Sequence, residues 1–392
     1  MLFPSDRNNI APRLAFAWDP GGDKKTSIHG AYGIFFDNHI IGLSGITALI
    51  NGRDQVRTFV AQLPNMAPLA AWNAPGRRLP EPAQGYPSLK ITADPGLKTP
   101  YAQHAAVGVD RELGAAFGVS INAVYARGFD QLGTIDYNPI IPALGAGRRP
   151  EDVDGRAGTS SSILQYTSFG ETWYRGLTLS LNKRLADGYQ LMASYTVSKA
   201  EDTSTDFQSA FVPQDNGRGR NPQDMTGLPI GFDPDLERGP STQDQRHRFV
   251  LSGLYVAPGN VHVSSIVTIA SGRPYNVLAG VDLNGDGNGG AFPPDRARAT
   301  LADPATSVSR NTGTLPNYAT VDLRVSRRFR LADRASVDGL FEVFNLFNRT
   351  NYTEINNIFG TGSFPSNPLG TFGQFTQAAP PRQVQLAVKI NF

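Results

Sequence analysis

The chain has 392 residues, 40% of them hydrophobic, no cysteine, and 36 basic against 34 acidic side chains for a net charge of +2. Disulfides, thiolate chemistry and cysteine-ligated metals are therefore excluded, and so balanced a charge offers no extended basic field for nucleic acid. A mean hydropathy of −0.28, with no run near the ~20 apolar residues of a membrane helix, excludes a helical membrane protein, while 41 glycines and 29 prolines imply many turns.

Along the chain, Leu14, Phe16 and Trp18 alternate with Ala15, Ala17 and Asp19, and Ile28, Tyr32, Ile34 and Phe36 alternate with His29, Ala31, Gly33 and Asp37. A strand points successive side chains to opposite faces, so this two-residue period predicts strands with one apolar and one polar face. The pattern returns at Ala105, Val107 and Val109, at Val119, Ile121, Ala123 and Tyr125, and at Leu177, Leu179 and Leu181 with Thr178, Ser180 and Asn182 between them. It continues through Leu191, Ala193, Tyr195 and Val197; Phe249, Leu251 and Tyr255; Val261, Val263, Val267 and Ile269; and Val321, Leu323 and Val325. Residues 335 to 347 repeat it less regularly, with Phe344 to Phe347 breaking the period. The last copy runs to the final residue: Val384, Leu386, Val388, Ile390 and Phe392 are apolar against Gln383, Gln385, Lys389 and Asn391. About eleven segments result, each near the ~10 residues of a tilted membrane-spanning strand.

One such segment fits a soluble sandwich equally well, and the connections decide between the two. The runs at 20–25, 112–114, 186–188, 258–260 and 331–334 read as tight turns. Between them lie long stretches, near 38–99, 128–172, 200–244, 272–317 and 348–380. A sandwich has no reason to put every long loop at one end, and the regular segments argue against a disordered linker. An outer-membrane barrel does so by construction, with short periplasmic turns and long extracellular loops. The expected fold is all-β: an antiparallel transmembrane β-barrel with its long loops at one rim. Trp18, Tyr255 and Phe329 beside short turns, and Phe36, Tyr125 and Tyr195 toward long loops, suit two interfacial girdles. Asp110, Lys183, Asp322, Arg324, Asp338 and Glu342 are expected to face the lumen.

With about eleven up-and-down strands the first and last run the same way, and an antiparallel barrel cannot close on an odd number. An open edge would leave backbone groups unsatisfied in lipid. Residues 1–7 also lack the basic and apolar regions of a secretory signal. The expectation is that residues 1–392 are the carboxy-terminal portion of a larger barrel.

The run Asn9-Ile10-Ala11-Pro12-Arg13-Leu14-Ala15-Phe16-Ala17-Trp18-Asp19-Pro20, followed by Ile28 to Asp37, resembles the barrel of TonB-dependent outer-membrane receptors. The likeness is to the Oar-like group, whose members carry a carboxypeptidase-regulatory-like domain ahead of the plug. It extends through Ser194-Tyr195-Thr196-Val197-Ser198-Lys199-Ala200, Asp244-Gln245-Arg246-His247-Arg248-Phe249, Ser271-Gly272-Arg273-Pro274-Tyr275 and Glu342-Val343-Phe344-Asn345-Leu346-Phe347-Asn348. The resemblance implies a place in the cell outer membrane and a 22-stranded parent barrel of which this chain is the second half. Signal peptide, plug and amino-terminal half-barrel are then missing, and TonB would be reached only through that plug. Uptake of a bulky nutrient is implied for the parent, and the chain alone is not expected to transport. In the family a terminal aromatic such as Phe392 is the signal read by the barrel-assembly machinery. The alternative function is a non-transport adhesin, because exposed loops are where binding diversity concentrates.

One run suggests a ligand. Asp282, Asn284, Asp286 and Asn288 place oxygen side chains at alternate positions, with Gly287 in the sixth place, as in the first half of an EF-hand loop for calcium. The twelfth place holds Pro293 where a bidentate Glu belongs, and Asp295 is the nearest carboxylate, so a glycine-rich surface loop is the competing reading. No other cofactor is expected. Residues 21–27 lack phosphate-loop spacing and read as a hairpin turn. The histidines at 29, 39, 104, 247 and 262 show no metal-ligand spacing. His247 has no accompanying nucleophile or oxyanion device, so no enzyme is expected.

Overall fold

The computed structural model describes residues 6, 8–37, 90–114, 116–138, 140–141, 144–157, 160, 163–203, 228–229, 237–281, 283, 295–332 and 335–392. Within them, eleven long strands form one antiparallel meander in chain order: β1 (Arg13–Trp18), β2 (Thr26–Phe36), β3 (Tyr101–Leu113), β4 (Phe117–Asp136), β5 (Ile163–Ala186), β6 (Tyr189–Asp202), β7 (His247–Ala257), β8 (Val261–Ala270), β9 (Tyr318–Ala332), β10 (Ala335–Phe344) and β11 (Gln383–Asn391). Every predicted segment lies on one of them. Among the described residues there is no α-helix; short 3-10 turns include Val153–Gly155 and Pro304–Thr306. The sheet does not close on itself: β1 and β11 are its two edges.

Register turns the alternation into a surface. Across the first strands, Phe16 lies opposite Gly30, then Val107, Ala123, Leu177 and Val197 follow in one row. Further along, Leu181, Ala193, Leu251, Val267 and Val321 form another, and Val325, Phe341 and Leu386 a third. A slip of one residue would move a strand's whole apolar set to the other side, so this shared parity is what fixes the pairing. Gly30 is part of the fit, because a Cβ there would collide with the Phe16 ring lying over it. The opposite face is polar. Thr178 and Thr196 share a hydrogen bond of 2.9 Å, and Arg328 grips Asp338 in a two-pronged pair at 2.6 and 2.9 Å.

Strict alternation of connections follows from antiparallel pairing. The short ones gather at one rim and the long ones at the other. At the short-turn rim Asp187 (φ 55°) and Gly188 (φ 78°) both take left-handed backbone, the geometry that lets a two-residue turn match strand twist. The first turn is closed differently: the Asp19 carboxylate accepts the amides of Gly21, Gly22 and Lys24 at 3.2, 3.1 and 2.8 Å. Residues 21–25 are thus a hairpin turn that leads into β2 at Thr26, as the hairpin reading of 21–27 expected.

Two expectations need correction. The stretch 128–172 begins and ends in strand: after a bulge around Asp130 (φ 55°), β4 and β5 keep pairing out to Asp136 and Leu164. A bulge absorbs the extra residue and lets the ladder resume, which period-two reading alone registers as a break. Lys183 does not share the polar face. It stands on the apolar parity with Leu177, Leu179 and Leu181, and its ammonium folds back over the Tyr189 ring at 3.5 Å to donate to the carbonyls of Ala186 and Tyr189 at 2.7 and 3.1 Å. The carbonyls that flank the two-residue turn supply that site, so the charge is satisfied without leaving the rim. The other five charges expected on the polar face are on it.

Candidate functional site at the long-loop rim

The long connections at 271–317 and 345–382 fold onto each other. Gly272 passes so close to the Leu315 carbonyl oxygen that a Cβ would collide with it, and Leu315 N–H donates to the Arg273 carbonyl at 2.9 Å. This brings Pro274–Tyr275 beside Gly313–Thr314, while Tyr352–Ile355 pairs with Phe375–Ala378. Backbone bonds then join the two loops: Leu278 N–H to the Asn357 carbonyl at 3.0 Å and Phe359 N–H to the Leu278 carbonyl at 2.7 Å. The interior is Tyr275, Val277, Ala297, Leu315 and Phe359, with Phe364 and Phe372 edge-on to Phe359 at 5.1 and 5.2 Å. A loop pair with its own apolar core is a platform of defined shape.

A buried ionic cluster fastens this platform to the sheet. Arg310 is fully buried and donates to the carboxylate and carbonyl of Asp202, the last residue of β6, and through Nε to the Glu237 carbonyl at 2.7 Å. Arg296 pairs with the Glu237 carboxylate at 2.5 Å, and Asn311 donates to the Pro240 carbonyl at 2.8 Å. Burial pushes the Glu237 carboxyl above its ordinary range despite Arg296 and Arg310, and burial likewise lowers Arg296. Charges this deep hold together only while their partners remain, so the cluster locks 237–240, 296–311 and the end of β6 in one arrangement.

Three of the motifs that carry the family resemblance, around Asp244–Phe249, Ser271–Tyr275 and Glu342–Asn348, sit at the same rim and act as anchors. Asp244 is buried and accepts the Ala200 amide at 2.8 Å, and the His247 ring meets the Tyr195 hydroxyl at 2.8 Å. Ser271 Oγ accepts the His247 amide at 2.9 Å, and Arg273 donates to Gln243 at 2.8 Å. Asn345 (φ 50°) ends β10: its amide donates to Asp322 at 2.8 Å while its side chain brackets Arg349, accepting the Arg349 amide at 3.0 Å and donating to its carbonyl at 2.9 Å. Asn348 (φ 53°) accepts the Arg382 amide at 2.9 Å, which starts β11. Period breaking over Phe344 to Phe347 is therefore the strand ending.

On the polar face, His29 lies between Asp110 at 3.3 Å and Asn122 at 3.2 Å, over Gly108, where a Cβ would strike both His29 and Asn122. Arg324 faces Glu342 at 3.6 Å. Asp282, Asn284, Asp286 and Asn288 lie outside the described residues. Of their neighbours, Asp295 uses Oδ2 to accept the Leu283 amide at 2.8 Å and faces Arg298 at 3.5 Å, so it closes the base of that loop. No group of three or more His, Asp or Glu gathers among the described residues. Phe392 is fully exposed beyond the end of β11. Sequence reading missed Asp202, Glu237, Arg296 and Arg310, because loop residues far apart in the chain carry no periodic signal.

The outer membrane beta barrel domain family matches residues 1–385. No curated protein matches the chain. Among solved structures, the outer membrane transporter YddB of Escherichia coli is similar over 98% of this chain and 41% of its own, at 13% identity and a TM-score of 0.59. A variant of the ferric enterobactin receptor PfeA of Pseudomonas aeruginosa aligns over 98% of this chain and 40% of its own, at 14% identity and a TM-score of 0.52. A second PfeA variant, in complex with enterobactin, gives the same identity and coverage with a TM-score of 0.51. At these identities the likeness is one of fold, and the chain spans about two fifths of the length of those proteins.

Proposed function

Because this chain belongs to the outer membrane β-barrel domain family, whose place is the cell outer membrane, we propose that it supplies the carboxy-terminal half-barrel of a TonB-dependent transporter for a bulky nutrient. The observation that carries this reading is the meander itself, eleven antiparallel strands with one continuous apolar face and every long connection at one rim. Lipid covers the apolar face in this reading, the polar face lines the lumen, and the loop platform faces the cell exterior. Eleven strands would be half of a 22-stranded wall. The edges β1 and β11 would pair with strands of the parent's other half, since an unpaired edge in lipid leaves N–H and C=O groups unsatisfied. TonB would act through the parent's plug, and Phe392 would be read by the assembly machinery.

A surface-interaction barrel is the second reading, favoured by the separate core of the loop platform. Co-expression distinguishes them. With a plug-bearing amino-terminal complement, the chain should give a heat-modifiable outer-membrane species and TonB-dependent uptake. A stable heat-modifiable barrel formed by the chain alone, indifferent to the complement, would sink the half-barrel reading.

A further inference from the structure

On the apolar face, the row holding Leu177 and Val197 is followed toward the long loops by a row of Tyr125, Arg175 and Lys199, and then by Arg127, Trp173 and Glu201. The surface thus changes within two register steps from aliphatic to cationic and aromatic. Arg238 reaches in from its loop and lies over the Trp173 ring at 4.0 Å, while Arg127 approaches the same indole at 5.7 Å. Two carboxylates hold three of the cations: Glu171 pairs with Arg127 at 2.8 Å, and Glu201 with Lys199 at 2.6 Å and Arg238 at 3.2 Å. Arg175 stands exposed between Tyr125 and Lys199 with no ionic partner among the described residues. Four cations against two carboxylates leave a surplus of two positive charges on a face otherwise built for lipid.

We propose that this patch binds the phosphorylated sugar headgroup of an outer-leaflet glycolipid. The position selects the ligand: a side chain one row beyond Leu177 sits at headgroup depth, and the long-loop rim faces the outer leaflet if those loops are extracellular, the one point at which the proposal rests on the reading above. Arginine planes fixed on an indole present donors in a forked geometry that suits phosphate oxygens, and little side-chain freedom remains to be lost on binding. The unpaired Arg175 supplies the free charge, and the flanking Tyr125 and Trp173 rings lie where amphipathic aromatics prefer to be. At the short-turn rim the apolar face carries isolated cations instead. Arg327 stacks on Phe329 at 5.0 Å, and Arg111 donates to Thr26 at 2.5 Å.

The test uses the full chain co-expressed with a plug-bearing amino-terminal complement and extracted from outer membranes in detergent, with strand content checked by circular dichroism. Native mass spectrometry then measures retention of bisphosphorylated lipid A, the same lipid A after dephosphorylation, and phosphatidylethanolamine. The chain should prefer the bisphosphorylated form, and Arg175→Gln with Arg238→Gln should weaken retention about tenfold or more, while Arg324→Gln on the polar face leaves it unchanged. Equal retention of all three lipids by strand-rich protein would overturn the proposal. So would an equal loss in the Arg324 variant, or displacement by millimolar inorganic phosphate, which would mark a free-anion site. A chain that forms a barrel without its complement would defeat the half-barrel reading and leave the lipid preference readable, so the two failures are distinct.

Discussion

Single side chains on β11 report which face meets lipid. Leu386 is 77% exposed on the apolar face, and its neighbour Gln385 lies on the other, opposite Glu342. Leu386→Arg should cost roughly 2 to 4 kcal/mol if this position lies near mid-membrane, whereas Gln385→Arg should be mild. Unfolding of the complemented barrel from lipid vesicles by denaturant measures both, and a larger loss at Gln385 would invert the faces. Phe392 belongs to the same strand but projects past its end, where a ring favours the headgroup zone. Phe392→Asp should therefore lower outer-membrane levels of a restored parent more than Asn391→Ala, as immunoblots of fractionated membranes will register. Equal levels would reduce the terminal ring to packing. These residues were legible because period-two alternation names the face directly, as it did for Leu177, Val325 and Val384. It failed at Lys183, because the carbonyls flanking a tight turn accept an ammonium from the apolar side.

Among the elements, the loop platform is the part with its own mechanics. Arg310→Met removes one partner of a buried pair and leaves Asp202 unpaired, a change that costs about 3 to 5 kcal/mol in such settings. The loss should be local, seen as faster amide exchange at 276–278, 297 and 359 with the strand ladder unchanged. Exchange rising equally throughout the sheet would contradict a separate unit. The same cluster sets a pH dependence. Glu237 titrates above its ordinary value of 4.5 because burial outweighs its arginine partners. A carboxyl raised on folding contributes stability that is fully present below about pH 4.5 and is lost as pH rises through its folded value. Platform protection should therefore fall with rising pH across that window, and Glu237→Gln should flatten the slope. The glycine-rich loop between Leu283 and Asp295 adds a further test. Lacking a twelfth-position Glu, it should take up calcium through Asp282, Asn284, Asp286 and Asn288 only near the millimolar end of the range for such sites. Calorimetry with no heat at tens of millimolar calcium would retire that idea.

At the scale of the whole molecule, amino-acid order by itself determined eleven strands, their faces and the alternation of short and long connections. The reason is that a sheet between lipid and water writes its geometry into every second residue, and turn chemistry marks each reversal. The same reading gave the outer-membrane class, which the family match to residues 1–385 supports independently. It could not give the extension of β4 and β5 past Gly128, because a bulge at Asp130 shifts the register without changing composition. Nor could it show that motifs such as Asp244-Gln245-Arg246-His247 serve as rim anchors, since their partners, Ala200, Tyr195 and Ser271, lie on other strands and loops. The loop platform lay furthest from reach. Its core joins Tyr275 to Phe359 and its lock joins Asp202 to Arg310, contacts separated by 84 and 108 positions that only tertiary packing brings together. Periodicity records what each strand faces; which distant loops exclude water from one another is decided by the folded chain.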